Sequence, residues 1–187
     1  MVLLTAVIAC SVNALDTNEI DGAAVDLRAP ALNDRVVLKT PYGSIVLNLL
    51  PDNAPLAVKA VKTLASSSNC DGCKFYRAEA RPLRSKGEKE EGPPYALLQG
   101  QLDLPTHVPL EGKKEVKAGD VAFIPGAKDF FIALGDHPEW GTSHTVFAQV
   151  EDFVSTDLIA VQPYKEVVHE KYGKSPLLSV SSQHILS

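Results

Sequence analysis

The chain has 187 residues, of which 45% are hydrophobic and 22% are charged. This composition excludes a wholly disordered chain, and the length accommodates one domain, or one domain with a short appendage. The formal net charge of −5 argues against a nucleic-acid-binding surface, which would carry a basic excess, so we expect no nucleic-acid partner.

The chain opens with an apolar run, MVLLTAVIAC, that is far shorter than the about 20 residues of a transmembrane helix. Val12-Asn13-Ala14 then supply the small or modest side chains that a signal peptidase reads. We therefore predict a signal peptide over residues 1–14, entry into the secretory route, and no membrane span in the mature chain. Because no Lys or Arg precedes Arg28, a buried N-terminal strand and a truncated targeting segment for another compartment remain as alternatives.

Residues 15–34 have no sustained apolar period and predict an extended arm ahead of the domain. A hairpin follows, because the β-rich runs Val36–Thr40 and Ser44–Leu50 flank the turn residues Pro41-Tyr42-Gly43. Asn53 is then predicted to cap a helix that has Pro55 in its first turn. Apolar residues at positions 57, 60, 61 and 64 give this helix one apolar face.

Six further runs predict strands and one predicts a second short helix, at Thr156–Val161. The strand runs are Lys74–Glu79, Tyr95–Gln99, Asp120–Ile124, Phe130–Leu134, Thr145–Val150 and Leu177–Ser182. Two helices are too few to connect parallel strands, and eight strands can close into a barrel filled by side chains. The predicted fold of residues 35–187 is therefore mainly β, an eight-stranded antiparallel closed β-barrel capped by two α-helices, with a charged inserted loop at 81–94.

Four segments of this domain follow one another in a recognisable order. They are the opening hairpin with Pro51-Asp52-Asn53-Ala54-Pro55 and its helix, then Phe75-Tyr76-Arg77, then Leu97-Leu98-Gln99-Gly100, and last Phe130-Phe131-Ile132 with Glu139-Trp140 and His144-Thr145-Val146-Phe147. Over residues 35–182 the chain resembles the cyclophilins, the family of peptidyl-prolyl cis–trans isomerases. The resemblance implies a barrel of eight strands capped by two helices, which agrees with the prediction made from the strand count.

The resemblance also implies an activity and a site. It implies catalysis of rotation about X-Pro peptide bonds in Pro-containing polypeptide substrates, by a monomer with no cofactor and no metal. Arg77 and Gln99 would be the catalytic pair, with Gln99 orienting Arg77 and holding substrate backbone. Apolar and aromatic side chains would bind the proline ring and border its pocket; these are Leu97, Phe131, Phe147, Trp140 and His144.

The chemistry of the reaction suits an arginine. Rotation about a peptide bond must break amide resonance, at a barrier of about 18–20 kcal/mol. As the bond twists, the prolyl nitrogen regains a lone pair, so a donor aimed at that nitrogen stabilises the twisted state over both planar states. A guanidinium stays charged at any physiological pH, and its planar fork can hold two acceptors.

The sequence departs from the cyclophilin pattern near this site. The loop ahead of the double Phe is shorter, and Asp129 stands where the family has a glutamine, so an acceptor-only group replaces an amide. The inserted loop separates Arg77 from Gln99 by 22 positions. These departures keep open an alternative function, a module that binds Pro-containing peptides with weak turnover or none. A small-molecule-binding barrel is a third interpretation, which would treat the ordered motifs as chance.

Three cysteines are too few for a disulfide scaffold or a closed four-cysteine zinc site, and the five histidines are scattered, so no metal is expected. Cys70 and Cys73 form a Cys-Asp-Gly-Cys sequence just before the Arg77 strand. If Cys10 leaves with a signal peptide, a disulfide between these two is one interpretation. A redox-sensitive dithiol and two ordinary reduced thiols are the others.

Overall fold

The computed structural model describes residues 34–67, 70, 72–79 and 95–162, and the backbone of two further strands, Tyr164–His169 and Gly173–Gln183. The predicted signal peptide, residues 15–33 of the predicted arm and the predicted loop at 81–94 lie outside the described residues.

The described residues form nine strands and two α-helices, so the mainly β class is confirmed. In chain order they are β1 Arg35–Thr40, β2 Gly43–Leu49, α1 Pro55–Ser66, β3 Lys74–Glu79, β4 Leu97–Gln101, β5 Asp120–Phe123, β6 Asp129–Ala133, β7 Thr145–Val150, α2 Val154–Ala160, β8 Tyr164–His169 and β9 Gly173–Gln183. A 3₁₀ turn, Pro138–Trp140, precedes β7. Seven predicted strands correspond to β1–β7, the eighth falls within β9, and β8 was not predicted.

All strand pairs in the described residues are antiparallel, and the order across the sheet is β1-β2-β7-β5-β6-β4-β3-β9-β8. The predicted closure of the barrel is not found, because the described strands leave β1 and β8 at opposite ends of this order. The physical reason is the pairing of the C-terminal hairpin. β9 pairs with β3 rather than with β1, and β8 pairs with β9.

The two faces of the sheet bury different side chains, as the period of two along a strand requires. The larger set, which we call the main core, includes Phe75, Phe130 and Phe147 and is covered by α1 and α2. The other face carries a smaller group, which we call the second cluster; it consists of Leu97, Val116, Ala122, Phe131, Ala133 and Val146. The second cluster is the buried apolar layer beside which the candidate site lies.

The start of α1 differs from its prediction. Asn53 does not cap the helix, since its side-chain amide donates to the Val146 carbonyl and the N-cap residue is Ala54. The carboxylate of Glu111 takes over the capping role from a distance of 55 positions, accepting from the backbone N–H of Leu56 at 3.1 Å and of Ala57 at 2.9 Å. A long-range carboxylate thus satisfies free N–H groups that a local side chain was expected to satisfy.

Candidate active site

A β-bulge in β3 places two neighbouring side chains on one face. Phe75 is opposite Gly100 and Arg77 is opposite Gln99, so Tyr76 is the extra residue on its strand. Bulges of this kind redirect a side chain, and Tyr76 and Arg77 both reach Gln99 as a result. Gly100 permits the close approach, because a Cβ there would lie 2.5 Å from the Lys74 carbonyl oxygen.

Gln99 connects these two side chains through both ends of its amide. Arg77 Nη1 donates to Gln99 Oε1 at 2.9 Å, and Gln99 Nε2 donates to the Tyr76 hydroxyl at 2.5 Å. The hydroxyl in turn donates to Asp129 Oδ1 at 2.7 Å. The insertion between β3 and β4 therefore does not separate the predicted catalytic pair, and Asp129, which can only accept when ionised, has a phenol as its donor.

Glu79 holds the other side of the Arg77 guanidinium. Its side chain is fully buried, whereas that of Arg77 is 23% exposed. Glu79 Oε1 accepts from Arg77 Nε at 3.0 Å and from Nη2, and its second oxygen accepts from the backbone N–H of Tyr95. A continuous polar row, Glu79–Arg77–Gln99–Tyr76–Asp129, thus crosses strands β3, β4 and β6.

The electrostatics of this row keep the phenol protonated. Burial raises the pKa of Tyr76, and the hydrogen bond and charge of Asp129 raise it further. The Gln99 hydrogen bond and the charge of Arg77 act on that pKa in the opposite direction with less effect. Tyr76 is therefore a fixed hydrogen-bond donor to Asp129 throughout the physiological range.

The second cluster lies directly beside the polar row. Gln99 is opposite Phe131 in the β4–β6 register, Phe131 is opposite Ala122, and Ala122 is opposite Val146 on β7. Gln99, the hydrogen-bond partner of Arg77, is therefore next to a buried apolar cluster that contains Phe131. Leu97 is 5% exposed and belongs to the same buried cluster.

Aromatic rings form one side of this cluster. Trp140 meets Phe131 edge to face at a centroid distance of 5.5 Å, and His144 meets Phe131 the same way at 5.2 Å. Behind them, the buried ring of His137 stacks on Trp140 at 3.8 Å and 6°. Burial lowers the pKa of His144, and the neighbouring His137 lowers it further, so the His144 ring is neutral at pH 7.

The structure thus brings together Arg77, Gln99, Leu97, Phe131, Trp140 and His144. It does not bring Phe147 to them. The Phe147 ring lies in the main core on the opposite face, stacked on Phe123 at 4.6 Å. Its neighbour Val146 occupies the site face instead, because successive side chains of a strand alternate.

Sequence reasoning missed Tyr76, Glu79 and His137 as parts of this site. Glu79 stands two positions after Arg77, so the period of two in a strand was a signal that could have found it. Tyr76 gave no such signal, because only the bulge turns it to the face of Arg77. His137 reaches the site through stacking that no spacing rule indicates.

Cys70 and Cys73 lie just before β3, and both are buried. Their sulfur atoms are bonded to each other, and their Cα atoms are 5.2 Å apart. Among the described residues, no group of three His, Cys, Asp or Glu side chains is arranged to hold a metal ion. In that same part of the chain, no helix combines the length and apolarity that crossing a bilayer requires.

Comparison with known proteins identifies relatives of this fold. Residues 35–162 match the family model described as cyclophilin type peptidyl-prolyl cis-trans isomerase/CLD. A solved cyclophilin type peptidyl-prolyl cis-trans isomerase of Cryptosporidium parvum is similar over 82% of this chain and 98% of its own, with a TM-score of 0.54 and 15% identity. The same isomerase solved in the presence of the dipeptide Ala-Pro is similar over 80% of this chain and 98% of its own, with a TM-score of 0.52 and 14% identity. No curated protein sequence matches this chain significantly.

Proposed function

This chain belongs to the family of cyclophilin-type peptidyl-prolyl cis–trans isomerases, and from that premise we propose that it catalyses rotation about X-Pro peptide bonds in polypeptides. The observation that carries the proposal is the Arg77–Gln99 hydrogen bond of 2.9 Å, beside the buried cluster around Phe131 and the partly exposed rings of Trp140 and His144 that contact it. It combines a directed cationic donor with aromatic rings suited to a proline ring.

The guanidinium retains donors for such a substrate. It has five N–H groups, and among the described residues three of them are engaged, two with Glu79 and one with Gln99. With respect to the part of the chain that the structure describes, one N–H on Nη1 and one on Nη2 remain for a substrate acceptor. In the planar amide the nitrogen lone pair is delocalised, whereas in the twisted amide it can accept a hydrogen bond. The hydrogen bond from Arg77 to the prolyl nitrogen is therefore stronger in the transition state than in either ground state.

The aromatic rings supply the binding part of the reaction. Phe131, Ala122 and Val146 are 0–2% exposed and form a buried apolar layer, so a proline ring would pack against the partly exposed rings of Trp140 and His144 that contact Phe131. Burying a proline ring there removes water from the amide, which strengthens the hydrogen bond from Arg77 as the bond twists. No covalent intermediate or proton transfer is needed, since the reaction only rotates a bond.

A protease-coupled proline-isomerisation assay tests the proposal, with the full chain compared with Arg77→Ala and Arg77→Lys. We expect Arg77→Ala to approach the uncatalysed rate and Arg77→Lys to recover little, because an ammonium cannot reproduce the planar fork. Trp140 fluorescence gives the affinity for the same Pro peptide independently of turnover. Equal, near-background rates in wild type and Arg77→Ala would refute the proposal.

One observation favours the second candidate, a peptide-binding module with little turnover. The Arg77 guanidinium is paired with the buried carboxylate of Glu79, which reduces the positive potential it presents to a substrate. A Trp140 fluorescence response to a Pro peptide, with isomerisation at the background rate, would establish this second function in place of the first.

We further propose that the protein acts in the secretory route. The apolar leader MVLLTAVIAC and the bond between the Cys70 and Cys73 sulfurs support this location, because disulfides persist in oxidising compartments. N-terminal sequencing of the protein expressed in its own cells tests it. A new N-terminus after Ala14 is expected, and an intact Met1 would contradict the proposal.

A further inference from the structure

A buried carboxylate at the end of β3 is built into the candidate site without touching the surface that would receive a substrate. Glu79 is fully buried, and both of its oxygens accept from protein donors, Arg77 on one side and the Tyr95 backbone N–H on the other. We infer that Glu79 is a positioning residue, which fixes the Arg77 guanidinium in the orientation that faces the prolyl nitrogen. The inference rests on the proposed isomerase function.

The geometry explains how Glu79 would act. Nε and Nη2 of Arg77 form one edge of a planar group, and Glu79 Oε1 binds that edge. Gln99 Oε1 binds the adjacent Nη1 at 2.9 Å. Hydrogen bonds from two directions in one plane fix both the position and the rotation of the guanidinium before a substrate arrives. Preorganised donors of this kind need no rearrangement when the transition state forms.

A purely structural role explains this carboxylate poorly. Glu79 is opposite Leu97 in the β3–β4 register, beside a cluster of hydrocarbon side chains. A role as acceptor for the Tyr95 backbone N–H accounts for only one of its oxygens, Oε2. Among the described residues the other oxygen, Oε1, accepts from Arg77 alone, so what it contributes is the orientation of Arg77.

Glu79→Met and Glu79→Gln test the inference in the full chain, with Asp120→Asn as the matched control. Asp120 on β5 is also a fully buried carboxylate, with Lys114 at 2.9 Å and the Lys117 backbone N–H as partners, but it has no contact with Arg77. Turnover, affinity for a Pro peptide and the melting temperature are measured for each variant. Turnover and affinity are repeated with Glu79→Met in an Arg77→Ala background.

We expect Glu79→Met to remain folded but to melt at a lower temperature, because Arg77 and the Tyr95 backbone N–H lose their acceptor. It should lose turnover about tenfold, while its affinity for the Pro peptide changes less than about twofold. Glu79→Gln should lie in between, since its amide oxygen still accepts from Arg77. Asp120→Asn should keep wild-type turnover, and Glu79→Met should change nothing further in the Arg77→Ala background. Wild-type or faster turnover of Glu79→Met, or a loss of peptide affinity as large as its loss of turnover, would overturn the inference.

A nuclear magnetic resonance readout observes the positioning directly. The Arg77 Nε–H signal, assigned by its loss in Arg77→Ala, should exchange slowly with solvent in wild type and rapidly in Glu79→Met. An unchanged Nε–H signal in an active enzyme would remove this inference alone. A wild-type isomerisation rate no higher than that of Arg77→Ala would remove the proposed function and this inference with it.

Discussion

Replacement of Arg77 by alanine should destabilise the fold as well as remove activity, because it leaves the Glu79 carboxylate buried without its cation. The Glu79 side chain has no exposed surface, and Arg77 is its charged partner among the described residues. After the substitution, the Tyr95 backbone N–H is the one hydrogen-bond donor that the Glu79 carboxylate keeps among the described residues. A buried charge left without its partner is among the more destabilising changes a mutation can make.

The magnitude follows from the exposure of the pair. Breaking a fully buried ion pair by removing one partner costs about 3–5 kcal/mol. Because 23% of the Arg77 side chain is exposed, water can enter the space it leaves, and we expect a loss below that range, about 2–3 kcal/mol. For a chain of this size such a loss lowers the melting temperature by roughly 4–12 °C.

Thermal and urea unfolding of Arg77→Ala, followed by circular dichroism, measures this loss. Arg35→Ala is the matched control, because Arg35 also pairs with a glutamate, Glu151, but the two side chains are 36% and 48% exposed. That surface pair should contribute less than about 1 kcal/mol. The double variant Arg77→Ala/Glu79→Met should recover most of the stability. A loss no larger than that of Arg35→Ala, or a double variant no more stable than Arg77→Ala, would refute the reasoning.

Three further predictions concern single groups. Tyr76→Phe should lower the free energy of unfolding by about 1–2 kcal/mol in urea titrations, because Gln99 loses an acceptor and Asp129 a donor; an unchanged midpoint would contradict this. The folded-state pKa of His144 is lowered, so the stability from its neutral form is present above about pH 6.5 and lost as the pH falls through the folded-state value. His144→Gln should reduce this fall of the melting temperature with decreasing pH. A melting temperature that falls as steeply in His144→Gln as in wild type would show that another group causes it. Glu111→Ala should lower stability by about 1 kcal/mol, since the first turn of α1 loses its carboxylate, whereas Lys113→Ala serves as a nearby control.

The alternation of side chains along β4, β5, β6 and β7 made most of the fold and half of the site predictable. Phe130 and Phe131 illustrate the reason. Neighbours in a strand must point to opposite faces, so one ring had to lie in the core and the other on a second surface. The structure places Phe130 in the main core and Phe131 in the second cluster. The same rule, applied to β7, would have predicted Val146 rather than Phe147 on the face of the site.

The parts that could not be predicted depend on contacts between distant positions. The open sheet results from the pairing of β9 with β3, and nothing local in the sequence of β9 specifies its partner. The capping of α1 by Glu111 spans 55 positions in the chain, so the local signal at Asn53 was misleading. The bulge at Tyr76 is a property of the β3–β4 pair and not of either strand alone.

The departure at Asp129 and the pairing of Arg77 can both be reconciled with catalysis by one physical argument. Rotation about an amide creates no net charge, so the reaction needs a donor aimed at the prolyl nitrogen rather than an excess of positive charge. Glu79 offsets the charge of Arg77 but also fixes its direction. Asp129 holds the Tyr76 phenol, which in turn fixes the amide of Gln99 with its oxygen toward Arg77. Both carboxylates therefore orient the donor, and orientation is the property that this reaction requires.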